Sequence, residues 1–229
     1  MSALPLSDSG RPIRAGVYSG FAYPCRVSDE PPTTPGAPPG YVVIPARTTY
    51  LEMRRNEVPD PPVAPAGCSV SRWRRPQRDE YLALFSAVGG KWGWAGRLRL
   101  ADGELRALLD DPLIEIYRLR CGSRVAGFAE LDRRTAGEVE IVYFGLAPEF
   151  IGRGLGGFLL RWTVNRAWQV GGRGSGGRGS ATRRVWLHTC EFDHPGALAV
   201  YRKAGFRVYD ERIEMEPYAE AFLAGLSRP

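Results

Sequence analysis

Hydrophobic residues recur at helical spacing in "RPQRDEYLALFSAVG" (75–89), where Tyr81, Leu82, Phe85 and Val88 share one side and a glycine pair closes the run. The pattern predicts a helix. "KWGWAGRLRL" follows as an aromatic loop. Asp102 is then placed to cap a second helix, with Leu105, Leu108 and Leu109 inward and Asp111-Pro112 as its stop. The period next switches to that of strands. Segments 114–122, 124–132 and 137–148, divided by the turns "CGSR" and "RRTAG", predict an antiparallel meander.

Helical spacing returns with Leu155, Phe158, Leu159, Trp162 and Trp168. "GGRGSGGRGS" (171–180) is low-complexity and reads as a flexible surface loop. "RRVWLHTC" (183–190) predicts a strand. "HPGALAVYRKAG" predicts a short helix with Pro195 in its first turn and Gly205 past its end. "FRVYDERIEME" (206–216) predicts a last strand, and "YAEAFLAGL" a last helix. The order is helix, helix, three strands, helix, strand, helix, strand. That is a mixed α/β fold, without the alternation of βαβ units.

Composition divides the chain near residue 66. Thirteen of the 19 prolines precede it, in clusters such as "DEPPTTPGAPPG" and "VPDPPVAPAG". Proline fixes φ and lacks a donor, so these clusters predict loops. Between them "YVVIPARTTYLEMR" (41–54) is β-branched and aromatic, and predicts one or two strands. Residues 1–65 therefore read as a proline-rich extension, either packing its strands on the main domain or standing off as an arm. Residues 66–229 read as the main domain.

Charge and cysteine usage narrow the chemistry. The net charge of +6 suits an anionic ligand and is too small to indicate a nucleic-acid partner. A nucleic-acid contact through the Gly/Arg segment 171–180 is the minor reading. The four cysteines, Cys25, Cys68, Cys121 and Cys190, are far apart, no C-x-x-C pair exists, and there are two histidines. That pattern fits neither a metal site nor a disulfide framework. "MSALPLSDSGRPIR" has no basic start followed by an apolar run, and no apolar run approaches the ~18 residues of a membrane span. A cytoplasmic location with reduced thiols is expected.

"PEFIGRGLGGFLLRW" (148–162) carries the chemistry. Gly152, Gly154 and Gly157 fit the G-x-G-x-x-G spacing of dinucleotide sites. Such a site also needs an acidic residue roughly 20 positions on, and none occurs from Ile151 to Cys190. No G-K-S or G-K-T follows either, which excludes a Walker loop. A glycine turn leading into a helix remains suited to pyrophosphate. The backbone can approach closely, and the first-turn N–H groups carry partial positive charge. Arg153 adds a cation there.

"LAPEFIGRGLGGFLL" resembles the acyl-coenzyme A signature of the GNAT (GCN5-related) N-acetyltransferases, Q/R-x-x-G-x-G/A. Arg153, Gly154 and Gly156 match, and Ile151 stands where Gln or Arg is usual. "EIVYFGLAPE" resembles that family's fourth strand. "DHPGALAVYRKAGF" resembles its late motif N-x-x-A-x-x-x-Y-x-x-x-G-F, with His194 for the Asn and with Ala197, Tyr201, Gly205 and Phe206 matching. The resemblance covers about residues 68–216. It implies a mostly antiparallel central sheet, splayed at the coenzyme site and flanked by helices. It also implies acyl transfer from acetyl-coenzyme A, without a metal, to an amine on a small molecule, peptide or protein. The alternative it leaves is a non-catalytic coenzyme A sensor or docking module. A homodimer stays open.

The resemblance also implies roles. The pyrophosphate would rest on Ile151, Gly152, Arg153, Gly154, Leu155, Gly156 and Gly157, with His194 touching the coenzyme or capping its helix. Gly145 and Leu146 would lie at the splay, with the Leu146 N–H on the thioester carbonyl. A lysine-like amine, with a pKa of ~10.4, must lose a proton before attack. Glu140 is the candidate base, and Glu138, two residues earlier on the same side of the strand, is the reserve. The leaving thiolate, with a free pKa of ~8.5, benefits from an acid, and Tyr201 is the candidate. Trp92 and Trp94 would line the amine pocket. His188 reads as a packed strand residue. Cys190 is no nucleophile, since transfer in this family is direct.

Overall fold

A computed structural model describes residues 39–54, 60, 62–170 and 181–226. The proline-rich stretch through residue 38, which includes Cys25, lies outside the described residues. So do most of the second cluster's first half (55–59 and 61) and the Gly/Arg segment 171–180.

Seven strands form one sheet in the order β2-β3-β4-β5-β6-β1-β7. They are β1 (Tyr41–Arg54), β2 (Cys68–Arg72), β3 (Ile114–Cys121), β4 (Arg124–Asp132), β5 (Glu138–Leu146), β6 (Arg184–Cys190) and β7 (Arg207–Ala219). The meander β3-β4-β5 is antiparallel, as its short turns require. Among the described residues only β5 and β6 run parallel, because helix α3 (Leu155–Val170) connects them. Their pairing is brief: Glu138 opposite Arg184, Val139 opposite Val185, Glu140 opposite Trp186. Beyond Glu140, β5 stays with β4 as far as Leu146, whereas β6 stays with β1 as far as Cys190. The sheet therefore opens between them.

The segment 41–54 forms a single strand, and it lies between β6 and β7. Tyr50, Leu51 and Met53 are buried there. Pro45 pairs only with β7, since the β6 ladder begins at Thr48, so it stands where β1 has a strand neighbour on one side alone.

Helices α1 (Arg78–Gly89) and α2 (Asp102–Asp110) cover one face, packing Tyr81, Phe85, Val88, Leu105 and Leu109 on Ile114, Ile116 and Phe128. On the other face, α3 and α4 (Ala197–Lys203) pack Leu160, Val164, Ala167 and Tyr201 on Leu51, Met53, Leu131, Ile141 and Leu187. Each such side chain contributes about 1.5–3 kcal/mol of burial. A bulge lies within β5: Glu130 faces Tyr143 and Leu131 faces Ile141, so Val142 is the extra residue. The bulge reverses the side-chain alternation. Val139 and Ile141 thus join the α3 face while Glu140 and Tyr143 both point to the α1 face.

Several local expectations are corrected. Asp102 does not cap α2. Ala101 is the N-cap, its N–H donates to the Glu104 carboxylate at 2.9 Å, and Asp102 pairs with Arg78 Nε at 2.8 Å. The meander's third strand stops at Leu146, and Pro148–Phe150 is a 3-10 turn. Pro195 lies in the turn ahead of α4, outside its first turn. The last strand runs on to Ala219, so α5 is confined to Glu220–Leu226. The largest correction concerns thiols. Cys68 and Cys121, 53 positions apart, form a disulfide across β2 and β3, where strand pairing sets them opposite each other. Cys190 is a free thiol. No helix among the described residues is long and apolar enough to cross a membrane.

Candidate active site

The glycine turn joins the end of β5 to α3. Phe150, 5% exposed, anchors it in the core, and Arg124 and Arg153 lie over the Phe150 ring at 4.9 and 5.5 Å. Gly152 and Gly154 adopt φ of 81° and 75°, a conformation that other residues enter only with strain. A Cβ at either would meet nothing within 4 Å, so the turn faces open space. The first-turn amides of α3 have no carbonyl one turn before them and point into that space. Gly156 sets this helix end beside β5, since a Cβ there would lie 3.8 Å from Leu146 Cδ1. Gly157 also borders open space, and Leu155 is buried. Ile151, 37% exposed, offers an apolar side chain where the motif usually has a polar one. The residues present thus fit a pyrophosphate through backbone donors.

The divergence of β5 and β6 continues from this turn. Gly145 and Leu146 occupy the stretch of β5 with no β6 partner. A Cβ on Gly145 would come within 2.6 Å of Val88 Cγ1 and 3.3 Å of Trp94, so only glycine lets α1 and the tryptophan this close. Tyr201 of α4 packs its ring on Phe144 of β5 and on Phe206 at 6.1 and 6.4 Å. Burial pushes its hydroxyl well above the ordinary tyrosine value, and Asp193 adds to this. The hydroxyl therefore keeps its proton, as a donor must.

The turn between β6 and α4 is held by Asp193. Its carboxylate accepts from Thr189 Oγ1 at 2.7 Å, the Cys190 N–H at 3.1 Å and Trp94 Nε1 at 3.0 Å. Next to it, His194 Nδ1 accepts the Gly196 N–H at 2.9 Å, and the His194 ring meets Trp92 edge-on at 5.0 Å. His194 thus organises the start of α4. Trp94 is a packed pillar as much as a wall, with Phe85, Tyr143 and Phe128 around it. Asp193 carries no motif signal of its own; an acidic residue ahead of the "HPG" turn was the available clue.

Glu140 and Glu138 share the α1 face but have different surroundings. Glu138 is engaged by Arg184 at 2.9 Å, and Arg184 also binds Glu52 at 2.7 Å. It belongs to a charge network at the closed end of the β5-β6 pair. Glu140 is the last β5 residue paired to β6, at the point where the strands part. Its carboxyl is pushed up to about 8, first by burial and then by Asp132, with Arg97 opposing. His188 Nδ1 lies 3.6 Å from Glu140 Oε1, and burial lowers the imidazole below its ordinary value. Deeper on the same face, Glu130 is fully buried and takes Arg97 Nη2 at 2.5 Å and the Tyr81 hydroxyl at 2.6 Å. No group of three or more potential metal ligands occurs among the described residues.

A family model described as the acetyltransferase (GNAT) family matches residues 94–206, which span both walls of this opening. Residues 94–206 form a GNAT acetyltransferase domain. Solved GNAT structures share the fold at low identity. A GCN5-related N-acetyltransferase from Kribbella flavida superposes with a TM-score of 0.51 at 19% identity, over 81% of this chain and 63% of that one. A GNAT-family protein from Novosphingobium aromaticivorans superposes with a TM-score of 0.50 at 21% identity, over 82% of this chain and 72% of that one. No curated protein sequence matches the chain. The seven-stranded, helix-flanked sheet is thus the GNAT architecture.

Proposed function

We propose that this domain transfers an acetyl group from acetyl-coenzyme A to a primary amine by direct attack. The observation that supports this most is the seam itself. β5 and β6 part immediately after Glu140, Gly156 of the glycine turn lies beside Leu146 at the end of β5, and Tyr201 packs on Phe144 of the same strand. The coenzyme supplies the activated thioester. The turn from Ile151 to Gly157 would hold its pyrophosphate through backbone amides, with Arg153 adding charge. The unpaired edge of β5 at Gly145 and Leu146 is suited to accept an extended arm as an added strand, leaving the Leu146 N–H to polarise the carbonyl. Glu140 receives the amine's proton. Tyr201, protonated throughout the neutral range, donates to the leaving sulfur.

The test is thiol release from acetyl-coenzyme A with four amines: a lysine amide, a peptide with a free N-terminus, spermidine and an aminoglycoside. Calorimetry follows coenzyme binding in parallel. Release with at least one amine is expected. Absence of both release and binding removes the proposal. The apolar, exposed Ile151 favours a second reading, a coenzyme A-binding sensor, and binding without turnover is its signature.

A further inference from the structure

We propose that Glu140 does not act alone: Glu140 and His188 form one proton-accepting pair across the β5-β6 seam, with the imidazole holding the proton taken from the acceptor. This rests on the acetyl-transfer reading above. The geometry comes from strand pairing. Glu140 is opposite Trp186, and His188 lies two residues further along β6, on the same face, where the strands separate. The Nδ1 to Oε1 separation of 3.6 Å exceeds a hydrogen bond, but it is short enough for each group to feel the other's ionisation.

The surroundings explain why the imidazole is needed. Glu140 faces Asp132 and Glu130 from β4, Arg97 from the loop after α1, and Arg134 from the β4-β5 turn. Burial and the two carboxylates outweigh the two arginines, so near neutral pH the Glu140 carboxyl already holds a proton. A protonated carboxyl can take the amine's proton only as it passes its own to a neighbour. His188 faces Asp193 from the turn after β6 and Glu214 from β7, with the Tyr50 ring at 5.6 Å and the Trp186 ring at 6.5 Å. Burial keeps this imidazole neutral, and a neutral imidazole has room for a proton.

Atoms and charge balance in the transfer. The acceptor arrives as R–NH3+ and one N–H bond breaks. The freed amine keeps the electron pair for attack. The Glu140 carboxyl takes that proton as its own passes to His188 Nδ1, so the pair ends as carboxyl with imidazolium, one proton and one positive charge richer, and total charge is conserved. His188 works through Glu140 and is a positioning, proton-holding partner.

The two histidines make the test direct. NMR follows the Cε1–H resonances of His188 and His194 in the full chain from about pH 5 to about pH 9. In the wild type, His188 should show an inflection near 8 as Glu140 ionises. Glu140→Gln should erase it, while an unchanged backbone amide spectrum away from the seam reports an intact fold. A His188 titration indifferent to Glu140→Gln overturns the pairing. In kinetics with the fastest amine of the panel, His188→Gln should lower kcat by roughly 10²-fold with little change in KM for acetyl-coenzyme A. An unchanged kcat also overturns it. Failure of acetyl transfer is distinct, because it appears as no thiol release from the wild type, whatever the NMR titration shows.

Discussion

The indole N–H of Trp94 donates to the carboxylate of Asp193 at 3.0 Å, tying the loop after α1 to the turn that starts α4. The same carboxylate also takes the Thr189 hydroxyl and the Cys190 N–H. Asp193→Ala removes three acceptor contacts at once and leaves partly buried donors behind. The expected loss is on the order of 3 kcal/mol, since hydrogen bonds to charged groups are the costly ones to break. Urea unfolding measures the loss, and a change in tryptophan emission reports release of Trp94. Stability within about 0.5 kcal/mol of wild type would show that the contact carries no weight.

Gly154 adopts φ of 75° with open space around it, so conformation and not crowding restricts substitution. Gly154→Val should cost about 1–2 kcal/mol of stability from left-handed strain. Calorimetric affinity for coenzyme A should fall by more, at least about tenfold, because the side chain would fill the space that the turn's amides face. Gly157 is different: it is helical and also borders open space. Gly157→Ala should raise stability by up to about 1 kcal/mol through helix propensity. Equal losses at the two sites would contradict this account of the turn.

The turn, read from spacing alone, illustrates what the chain discloses one residue at a time. The helices α1 and α3 and the β3-β4-β5 meander were legible, because apolar period and short turns are local signals. The place of β1 was not. Its partners, such as Cys190 opposite Thr48, lie far along the chain, and no pattern within 41–54 names them. The Cys68–Cys121 disulfide escaped for the same reason, as did the Val142 bulge that turns Glu140 and Tyr143 to one face. At the candidate site, glycine spacing picked out the turn, and the family resemblance pointed to Glu140 and Tyr201. Asp193 and His188 depend on Trp94 and Glu140, partners that only sheet assembly supplies.

Tyr201 is 7% exposed, and its ring is held by Phe144 and Phe206. Tyr201→Phe keeps the buried ring and removes only the hydroxyl. Thermal stability should stay within about 0.5 kcal/mol. If the hydroxyl protonates the leaving thiolate, kcat should fall about 10²-fold while coenzyme A affinity holds. Steady-state kinetics with calorimetry separates the two. A weaker affinity at unchanged kcat would assign Tyr201 to coenzyme packing instead.

Glu140 also gives the fold a pH dependence of definite sign. Its carboxyl rises from 4.5 to about 8 on folding, chiefly through burial. Below about 4.5 both folded and unfolded chains hold the proton, and the group costs nothing. Between about 4.5 and about 8 the unfolded chain releases the proton and the folded chain retains it, so stability falls as pH rises through this window. A tenfold change in acidity corresponds to about 1.4 kcal/mol, so the whole effect is a few kcal/mol. Glu140→Gln has no proton to lose. Its stability relative to wild type should therefore increase steadily from about pH 5 to about pH 8, as measured by urea unfolding at each pH. Glu216, pushed up to about 7 by burial and by Glu214, is present in both proteins and cancels in the difference. A difference that is flat across the window would mean that Glu140 ionises in the folded chain as it does in water, and the base would then need no partner.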